Sequence, residues 1–585
     1  MAHPHILRLD LKRFRGFENL TWYPGPQMNL ILGGGDAGKS TLLDAIALLL
    51  QPSNGYTLSD ADYWQRQVGD EFVIEAVMYL PDSTAIHNLR TATWPWEWDG
   101  TAAVLPDLEG DHSPRQPVYR LRVRGTADLE LLYEIEQPDN SNVALPTALR
   151  KAIGLVRLAG DDRSERDLRL VHGGALDRLL TDKGLRAKLG YNIGQTSVQD
   201  ALSSEACGKL AALDQSFDES GLPSGLQLGF VGAPGISVNA LIGLTAKRND
   251  VALPLLSWGS GTRRLSALHI ASILQEGQPI TVIDEAERGL EPYRQRSLIS
   301  ELSSKEAQSF VTTHSATVIG AASSASMWYV NANRAVGRLP TQKIATQQAK
   351  DPDLFLARFA IVAEGITEVG FLRHLLSVYV SADWRSLGIV VTDAGSNDSV
   401  LILLEALLSG GVRFGGFADT EPACKHPGRW ATVKQQLGSL LHRWNSGCLE
   451  ENLIPLIDLN EIQSFIADPE GKKTGYRLRT LADRLSISTP TYEAVLTAAG
   501  DAEALRQLII QAACGTVPEG VFETGQKKAY KSHASSWFKS LEGGDELAAK
   551  FLALNHTVAR DAVKSRLVAF LNAIQAEIGL ANDQS

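Results

Sequence analysis

Apolar and polar residues alternate over Ile6–Leu11, apolar residues run together over Met28–Leu32, and leucine and alanine recur at helical spacing from Ser40 onward. That pattern predicts strand, strand and helix at the start of the chain. Glu71–Leu80 and Tyr119–Val123 read as further strands, separated by an irregular Trp- and Pro-containing segment around Trp94–Trp98. From Ser164 to Ala240 the pattern is helical and polar, with a Gly/Pro-rich loop over Ser220–Gly235. Strand signals return at Ile280–Ile283 and Gln308–Thr312, and the polar stretch Asn331–Asp353, with two prolines, reads as a linker. Beyond it, Phe359–Ala363, Gly388–Thr392 and Val412–Ala418 read as strands, alternating with helices Thr367–Val380 and Asp398–Leu408. A β-α-β-α-β order implies a small parallel sheet with crossover helices. From about Leu456 the chain reads as mainly helical, and no internal repeat is visible.

Composition narrows the class. A chain of 585 residues, 44% hydrophobic and 21% charged, has room for three to five domain-sized pieces and is not a disordered chain. Its 56 Lys+Arg against 67 Asp+Glu give −11, which excludes a histone-like polycation but not a nucleic-acid enzyme carrying a local basic patch. Four cysteines make no disulfide framework and suit a reducing compartment. The N-terminus lacks the apolar core of a signal peptide, and the greasiest run, Leu42–Leu50, is short and interrupted by Asp44. The expectation is a cytoplasmic protein with no membrane partner.

Candidate chemistry begins at Gly33-Gly34-Gly35-Asp36-Ala37-Gly38-Lys39-Ser40, a P-loop between a strand and a helix, with Thr41 following. Its glycines let backbone N–H groups wrap phosphates, Lys39 reaches the β/γ oxygens, and Ser40 ligates Mg²⁺. Ile280–Ile283 ends in Asp284-Glu285, the Walker B pattern, in which Asp284 holds Mg²⁺ and Glu285 orients the attacking water. Leu256-Ser257-Trp258-Gly259-Ser260-Gly261 resembles the ABC signature motif, with Ser257, Gly259 and Gly261 expected near a nucleotide held by another subunit. Thr312-Thr313-His314-Ser315 resembles a switch-histidine segment, and Lys12–Phe17 resembles an "FRxF" opening whose Arg15 approaches the nucleotide. A surface charge on a strand edge is an equal reading of Arg15, and Gln65 or Gln67 is the nearest candidate for a Q-loop glutamine. The motif order is similar to that of ABC ATPases of the chromosome-maintenance and recombination type; it gives transport no support.

A second constellation starts at Ile361–Glu368, where a strand ends in Glu364, turns on Gly365 and enters a helix carrying Glu368. Asp419 and Glu421 follow a later strand, and residues i and i+2 at a strand end face the same way, so both can approach Glu364. Clustered carboxylates repel, and bound Mg²⁺ or Mn²⁺ resolves the repulsion. This arrangement resembles the TOPRIM domain, although the family's second acid is aspartate, and Gly395 sits where the family makes a tight turn. Cys424, His426, His442 and Cys448 offer a rival Cys₂His₂ zinc set whose spacing fits no strong template.

An ABC-type ATPase joined to a TOPRIM unit resembles the OLD (overcoming lysogenization defect) family of ATP-coupled nucleases. The resemblance implies an α/β chain: an ABC-type P-loop ATPase domain at 1–345 with a helical insertion at about 85–250, a Rossmann-like TOPRIM domain at 355–455, and a mainly helical region at 456–585 completing the nuclease site. It further implies a homodimer or higher homo-oligomer that cleaves DNA rather than RNA, uses ATP and Mg²⁺ or Mn²⁺, and acts in defence against phage with a possible partner protein. Glu450 or Glu451 would be the family's further acid, and Lys539, with Lys531 next, its C-terminal lysine. Lys527, Lys528, Lys531 and Lys539, interleaved with Tyr530, Trp537 and Phe538, make the one local basic-aromatic patch, suited to phosphate contact and base stacking. Two other classes stay open: a DNA-maintenance ATPase whose TOPRIM unit binds without cutting, and a nucleotide-sensing interaction protein.

Overall fold

Helix Lys39–Leu50 is apolar over most of its surface because two sheets enclose it. The computed structural model describes residues 3–53, 55–81, 86, 93–106, 115–158, 167–170, 175–180, 199, 202–230, 242–273, 279–422, 424–468 and 470–579, in two units, Met1–Thr341 and Gln342–Ser585. In the first unit, one sheet is antiparallel, in the order Phe17–Trp22, His5–Phe14, Phe72–Tyr79, Pro117–Gly125, Trp96–Trp98, Ala103–Val104. Leu131–Glu136 pairs with Pro117–Gly125 and with Asn142–Ala144. The other sheet runs Leu155–Leu158, Ile280–Ile283, Ser309–Thr312, Met28–Gly33, Ser326–Val330 in parallel, with Val336–Leu339 antiparallel at its edge. Leu9 and Ile74 from one sheet, and Ile31, Val282 and Phe310 from the other, bury against the helix between them.

Residues 85–250 differ from the expected helical insertion. Five of the strands just named belong to the antiparallel sheet, and Leu155–Leu158 edges the parallel one. The described helices in that span are Thr147–Ile153, Ala175–Leu180 and Ser204–Glu219. Tyr119–Val123 is a strand as expected, within Pro117–Gly125: Leu121 and Val123 are buried, while Arg120, Arg122 and Arg124 alternate with them and pair across strands. Arg120 and Arg122 grip Glu75 at 2.7 and 2.6 Å, and Arg124 takes Glu134 at 3.0 Å and Glu71 at 2.9 Å. The expected Ser220–Gly235 loop contains a strand, Gln227–Phe230, paired with Ile242–Arg248; residues 231–241 and most of 159–198 lie outside the described set. Nor is Asn331–Asp353 an open linker, since it holds strand Val336–Leu339 and helix Thr341–Lys350.

The second unit is built on a four-stranded parallel sheet ordered Ile389–Asp393, Phe359–Ala363, Phe414–Ala418, Leu441–Arg443. Helices Ile366–Tyr379, Asn397–Gly410 and Pro427–Leu437 make the crossovers. The chain steps from its first strand to one neighbour and then to the opposite one, so the order reverses between Phe359–Ala363 and Phe414–Ala418. In open parallel sheets, ligands bind outside the carboxyl ends of the strands at such a point. Helices from Leu449 to Glu577 complete the unit. One of them, Leu541–Ala553, crosses Ile366–Tyr379 closely enough that a Cβ on Gly370 would sit 2.0 Å from the Leu541 carbonyl. A Cβ on Gly544 would lie equally near the Thr367 carbonyl. The Gly543-Gly544 pair, poor for helix propensity, is thus required by packing.

Candidate functional site

The first site lies at the carboxyl ends of Met28–Gly33, Ile280–Ile283 and Ser309–Thr312. Gly33, Asp36 and Gly38 take positive φ angles of 146°, 57° and 103°, which turns the loop back onto the N-terminus of helix Lys39–Leu50. Gly34, Gly35, Asp36 and Ser40 are exposed along it, Ala37 is buried, and Thr41 follows in the first turn. Lys39 is buried; its Nζ donates to the carbonyls of Gly33 at 3.1 Å and Gly34 at 2.7 Å, and desolvation lowers its pKa. Ser40 Oγ donates to Asp284 Oδ1 at 3.2 Å, and Thr312 Oγ1 donates to the same oxygen at 2.5 Å. A hydroxyl and a carboxylate converging beside a helix N-terminus suit Mg²⁺ carrying nucleotide phosphates.

Glu285 holds φ at 51°, an uncommon backbone for a non-glycine residue. Its N–H donates to Thr312 Oγ1 at 2.9 Å, and Arg264 donates to its carbonyl at 2.6 Å and to that of Asp284. The carboxylate is left half-exposed, with Arg288 3.8 Å away. Glu287 fixes the switch segment: its oxygens accept from Thr313 Oγ1 at 2.6 Å and from the His314 backbone N–H at 2.8 Å, with the His314 side chain exposed. The signature helix begins at Ser260 with Ser257 and Gly259 exposed ahead of it, and Ser257 Oγ donates to the Pro254 carbonyl at 2.7 Å. Gly261 is packed so tightly that a Cβ would lie 2.0 Å from the Gly289 carbonyl.

Arg15 departs from the nucleotide-facing expectation. Its guanidinium is engaged by Asp44, by Asp62 at 3.0 Å and by Tyr56 at 3.0 Å, and the Asp44 charge raises its pKa. Arg15 therefore braces the P-loop helix from the side, joined on Asp44 by Arg157. Gln65 and Gln67 are both exposed. Arg264 and Glu287 escaped the sequence reading, although Glu287 stands only two residues past Glu285 in Asp284-Glu285-Ala286-Glu287.

Two family models match this region: one described as "AAA domain, putative AbiEii toxin, Type IV TA system" over residues 112–320, and one described as "AAA domain" over residues 8–76. Among solved structures, the Smc head bound to the C-winged helix domain of ScpA is similar at 15% identity, covering 58% of this chain and 99% of that one, with a TM-score of 0.37. The Smc head domain with an extended coiled coil, bound to the C-terminal domain of ScpA derived from Pyrococcus furiosus, matches at 15% identity over 59% of this chain and 99% of that one, TM-score 0.37. The recombination mediator RecF with ATP, of the RecFOR pathway, matches at 12% identity over 58% of this chain and 98% of that one, TM-score 0.35. No curated protein sequence matches. With its P-loop and Walker B strand in order and both AAA-domain models matching within it, the first unit carries a P-loop ATPase domain within an α/β fold. No described helix is long and apolar enough to cross a membrane.

The second site gathers at the strand-order reversal of the second sheet. Glu364 leaves the end of Phe359–Ala363, and its Oε2 accepts from the Asp419 N–H at 3.0 Å and from Asn397 Nδ2 at 2.9 Å. Asn397, 4% exposed, also donates to the Asp419 carbonyl at 2.9 Å, and Gly395, at φ 89°, turns the chain to put Asn397 at its helix start. Glu368, one turn into its helix, is buried. Glu450 is fully buried, and Lys539 Nζ lies 2.9 Å from its Oε1. Lys539 is delivered by the close helix crossing, with Ser540 capping Leu541–Ala553 and Thr367 Oγ1 donating to the Phe538 carbonyl at 3.2 Å.

These charges act on one another. Desolvation and then the negative charge of Glu450 push Glu368 up to about 7; desolvation, Glu368, Glu364 and Glu450 push Asp419 up to about 9. The acids raise Lys539, Glu450 most of all, against the opposing effect of burial. Asp419 Oδ1 and both Glu450 oxygens are buried without a protein hydrogen-bond donor. The excess charge of the four acids suits a hard divalent cation, although no three of their oxygens lie within 4.8 Å of one another.

The remaining candidates fall outside the cluster. Glu421 is exposed, with Lys425 the charge it acts on, because Thr420 pairs with Gly447 just after the strand and carries the chain away. Glu451 is a helix cap, its Oε2 accepting from the Cys448 N–H at 2.8 Å. Lys527, Lys528 and Lys531 are exposed, but Trp537 and Phe538 are fully buried under Arg477, so they offer bases no stacking face. The rival zinc set does not assemble either: His442 stacks on Phe417 at 4.8 Å, Cys424 contacts Arg443, and Cys448 meets Cys514.

A pH dependence follows. An unfolded Glu or Asp titrates near 4, so the folded, cation-free unit retains protons that unfolding would release. Glu368 and Asp419 therefore stabilise the fold least once pH has risen past about 7 and 9. In chelator, the thermal midpoint should fall by several degrees between about pH 5 and about pH 8, and added Mg²⁺ or Mn²⁺ should restore it. Glu368→Gln should flatten the slope; a slope unchanged in that variant would refute the linkage.

Proposed function

We propose that this protein is an ATP-hydrolysing, divalent-cation-dependent nuclease whose second unit is a TOPRIM-type domain, in the manner of the OLD family. The observation that carries this reading is the convergence of Glu364, Glu368, Asp419 and Glu450 with Lys539 at the order reversal of a parallel sheet. The four acids would hold Mg²⁺ or Mn²⁺, which when bound stabilises charge on the attacking and leaving oxygens of a phosphodiester. Asn397 fixes the orientation of Glu364 against Asp419, and Lys539 supplies, among the described residues, the positive side chain beside the acids for a scissile phosphate. In the ATPase unit, Ser40 and Asp284 would hold Mg²⁺, Lys39 the β/γ-phosphates, and Glu285 the attacking water. The exposed start of the signature helix, with Ser257 and Gly259 at the surface and Gly261 packed behind them, suits a nucleotide on a second copy, so the working form is a homodimer. DNA is the substrate in this reading, and defence against phage the setting.

Incubating the purified protein with supercoiled plasmid and Mg²⁺ or Mn²⁺, beside Glu364→Ala, tests it. The wild type should nick or cut the plasmid, and the variant should lose on the order of 100-fold or more in rate. Equal cleavage by both proteins would remove the assigned site. ATP hydrolysis with no cleavage of DNA or RNA would instead favour a DNA-maintenance ATPase whose second unit only binds.

A further inference from the structure

Beside the acid cluster lies a pair of thiols that the nuclease chemistry does not use. Cys448 precedes helix Leu449–Leu453, Cys514 ends helix Ala502–Cys514, and their Sγ atoms are 3.5 Å apart across 66 residues of chain. A disulfide would bring them to about 2.05 Å. Two sulfurs on one tetrahedral zinc, each about 2.3 Å from the ion, stand roughly 3.7 Å apart, close to the observed spacing. A carboxylate oxygen of Glu450 lies within 4.8 Å of both sulfurs. That side chain has no exposed surface, and its close partner among the described residues is the Lys539 ammonium, 2.9 Å from Oε1, so a buried anionic ligand already stands beside the pair. Among the described residues, no other group of three or more Cys, His, Asp or Glu ligand atoms converges this closely.

We propose that Cys448, Cys514 and Glu450 form a site for a soft divalent cation of the zinc class, with solvent as the fourth ligand. Each thiol releases its proton to solvent as its metal–sulfur bond forms, and no electron is transferred. Thiolates select such an ion over Mg²⁺, so this site and the all-oxygen cluster draw on different metals. They share one residue. Glu450 bound to zinc would be withdrawn from Lys539 and from the acids around Asp419, so zinc would act as an inhibitor. That consequence rests on the nuclease reading; the site itself does not.

The test uses the full-length reduced protein and Co²⁺ as probe, because thiolate ligation gives a sulfur-to-cobalt charge-transfer band that oxygen ligands cannot. One equivalent of Co²⁺ should produce the band and Zn²⁺ should bleach it, in the presence of excess Mg²⁺. Cys448→Ser and Cys514→Ser should each abolish it, and Glu450→Gln should weaken Co²⁺ binding about tenfold or more. Absence of the band in the wild type, or its survival in both cysteine variants, would overturn the proposal. So would loss of both titratable thiols in air without metal, which would mark the pair as a disulfide. If plasmid is cleaved, zinc inhibition should be relieved in Cys514→Ser; if it is not cleaved, the cobalt band still decides the site.

Discussion

Replacing Glu285 by Gln should leave ATP bound and nearly unhydrolysed. The change preserves shape and the left-handed backbone turn but removes the carboxylate proposed to align and deprotonate water, an effect worth on the order of 100-fold or more in turnover. Binding should be retained because Lys39, Ser40 and Asp284 are untouched, so a filter-binding assay and a phosphate-release assay should separate. Glu287→Gln makes the useful contrast. Glu287 receives two donors, Thr313 Oγ1 and the His314 N–H, on different oxygens. An amide keeps one acceptor and presents a donor in place of the other, so the switch segment should loosen and turnover fall about tenfold. If Glu287→Gln were the more damaging change, the water-orienting role would belong there instead. With the homodimer reading, Glu285→Gln should also accumulate as an ATP-bound dimer in size-exclusion chromatography.

What the sequence made legible follows the reach of its periodicities. The P-loop, the Walker B strand and the β-α-β-α-β run are short-range patterns in which apolar runs and turn glycines fall next to one another, and the strands appear where those patterns place them. Within 96–144, Pro117–Gly125 was legible from Tyr119–Val123, but its partner Leu131–Glu136 was hidden because Glu134 and Glu136 face Arg124 and Arg120, so that segment reads as polar. At the second site, Glu364 and Asp419 were visible from strand ends, and Glu368 from the first helical turn. Choosing between Glu450 and Glu451 needed tertiary information: one side chain turns inward beside Lys539, while the other closes its own helix cap. Lys539 owes its place to Gly370 and Gly544 meeting across two helices far apart in sequence, a contact that no window of sequence contains. Glu421 failed for the converse reason: the i, i+2 rule holds within a strand, and the strand ends at Ala418.

The pairing of Lys539 with Glu450 carries the second large expectation. Glu450 has no exposed surface, and Lys539 is its only close positive partner among the described residues. Lys539→Met should therefore leave a buried carboxylate without a counter-charge in the cation-free protein, a loss that reaches 3–5 kcal/mol for fully buried pairs. Lys539 retains 38% exposure, which places the expected loss near the bottom of that range, about 3 kcal/mol. The thermal midpoint should drop by roughly 10 °C in chelator. Adding Glu450→Gln to the same chain should recover most of that stability, because a neutral amide needs no counter-charge. On the nuclease reading cleavage should not recover, since the double variant lacks both an acid of the cluster and the cation proposed to face the phosphate. A lysine serving only to neutralise Glu450 would give the opposite outcome, with stability and cleavage restored together. Mn²⁺ sharpens the distinction: by supplying positive charge among the acids it should stabilise Lys539→Met more than the wild type, while leaving its cleavage rate low.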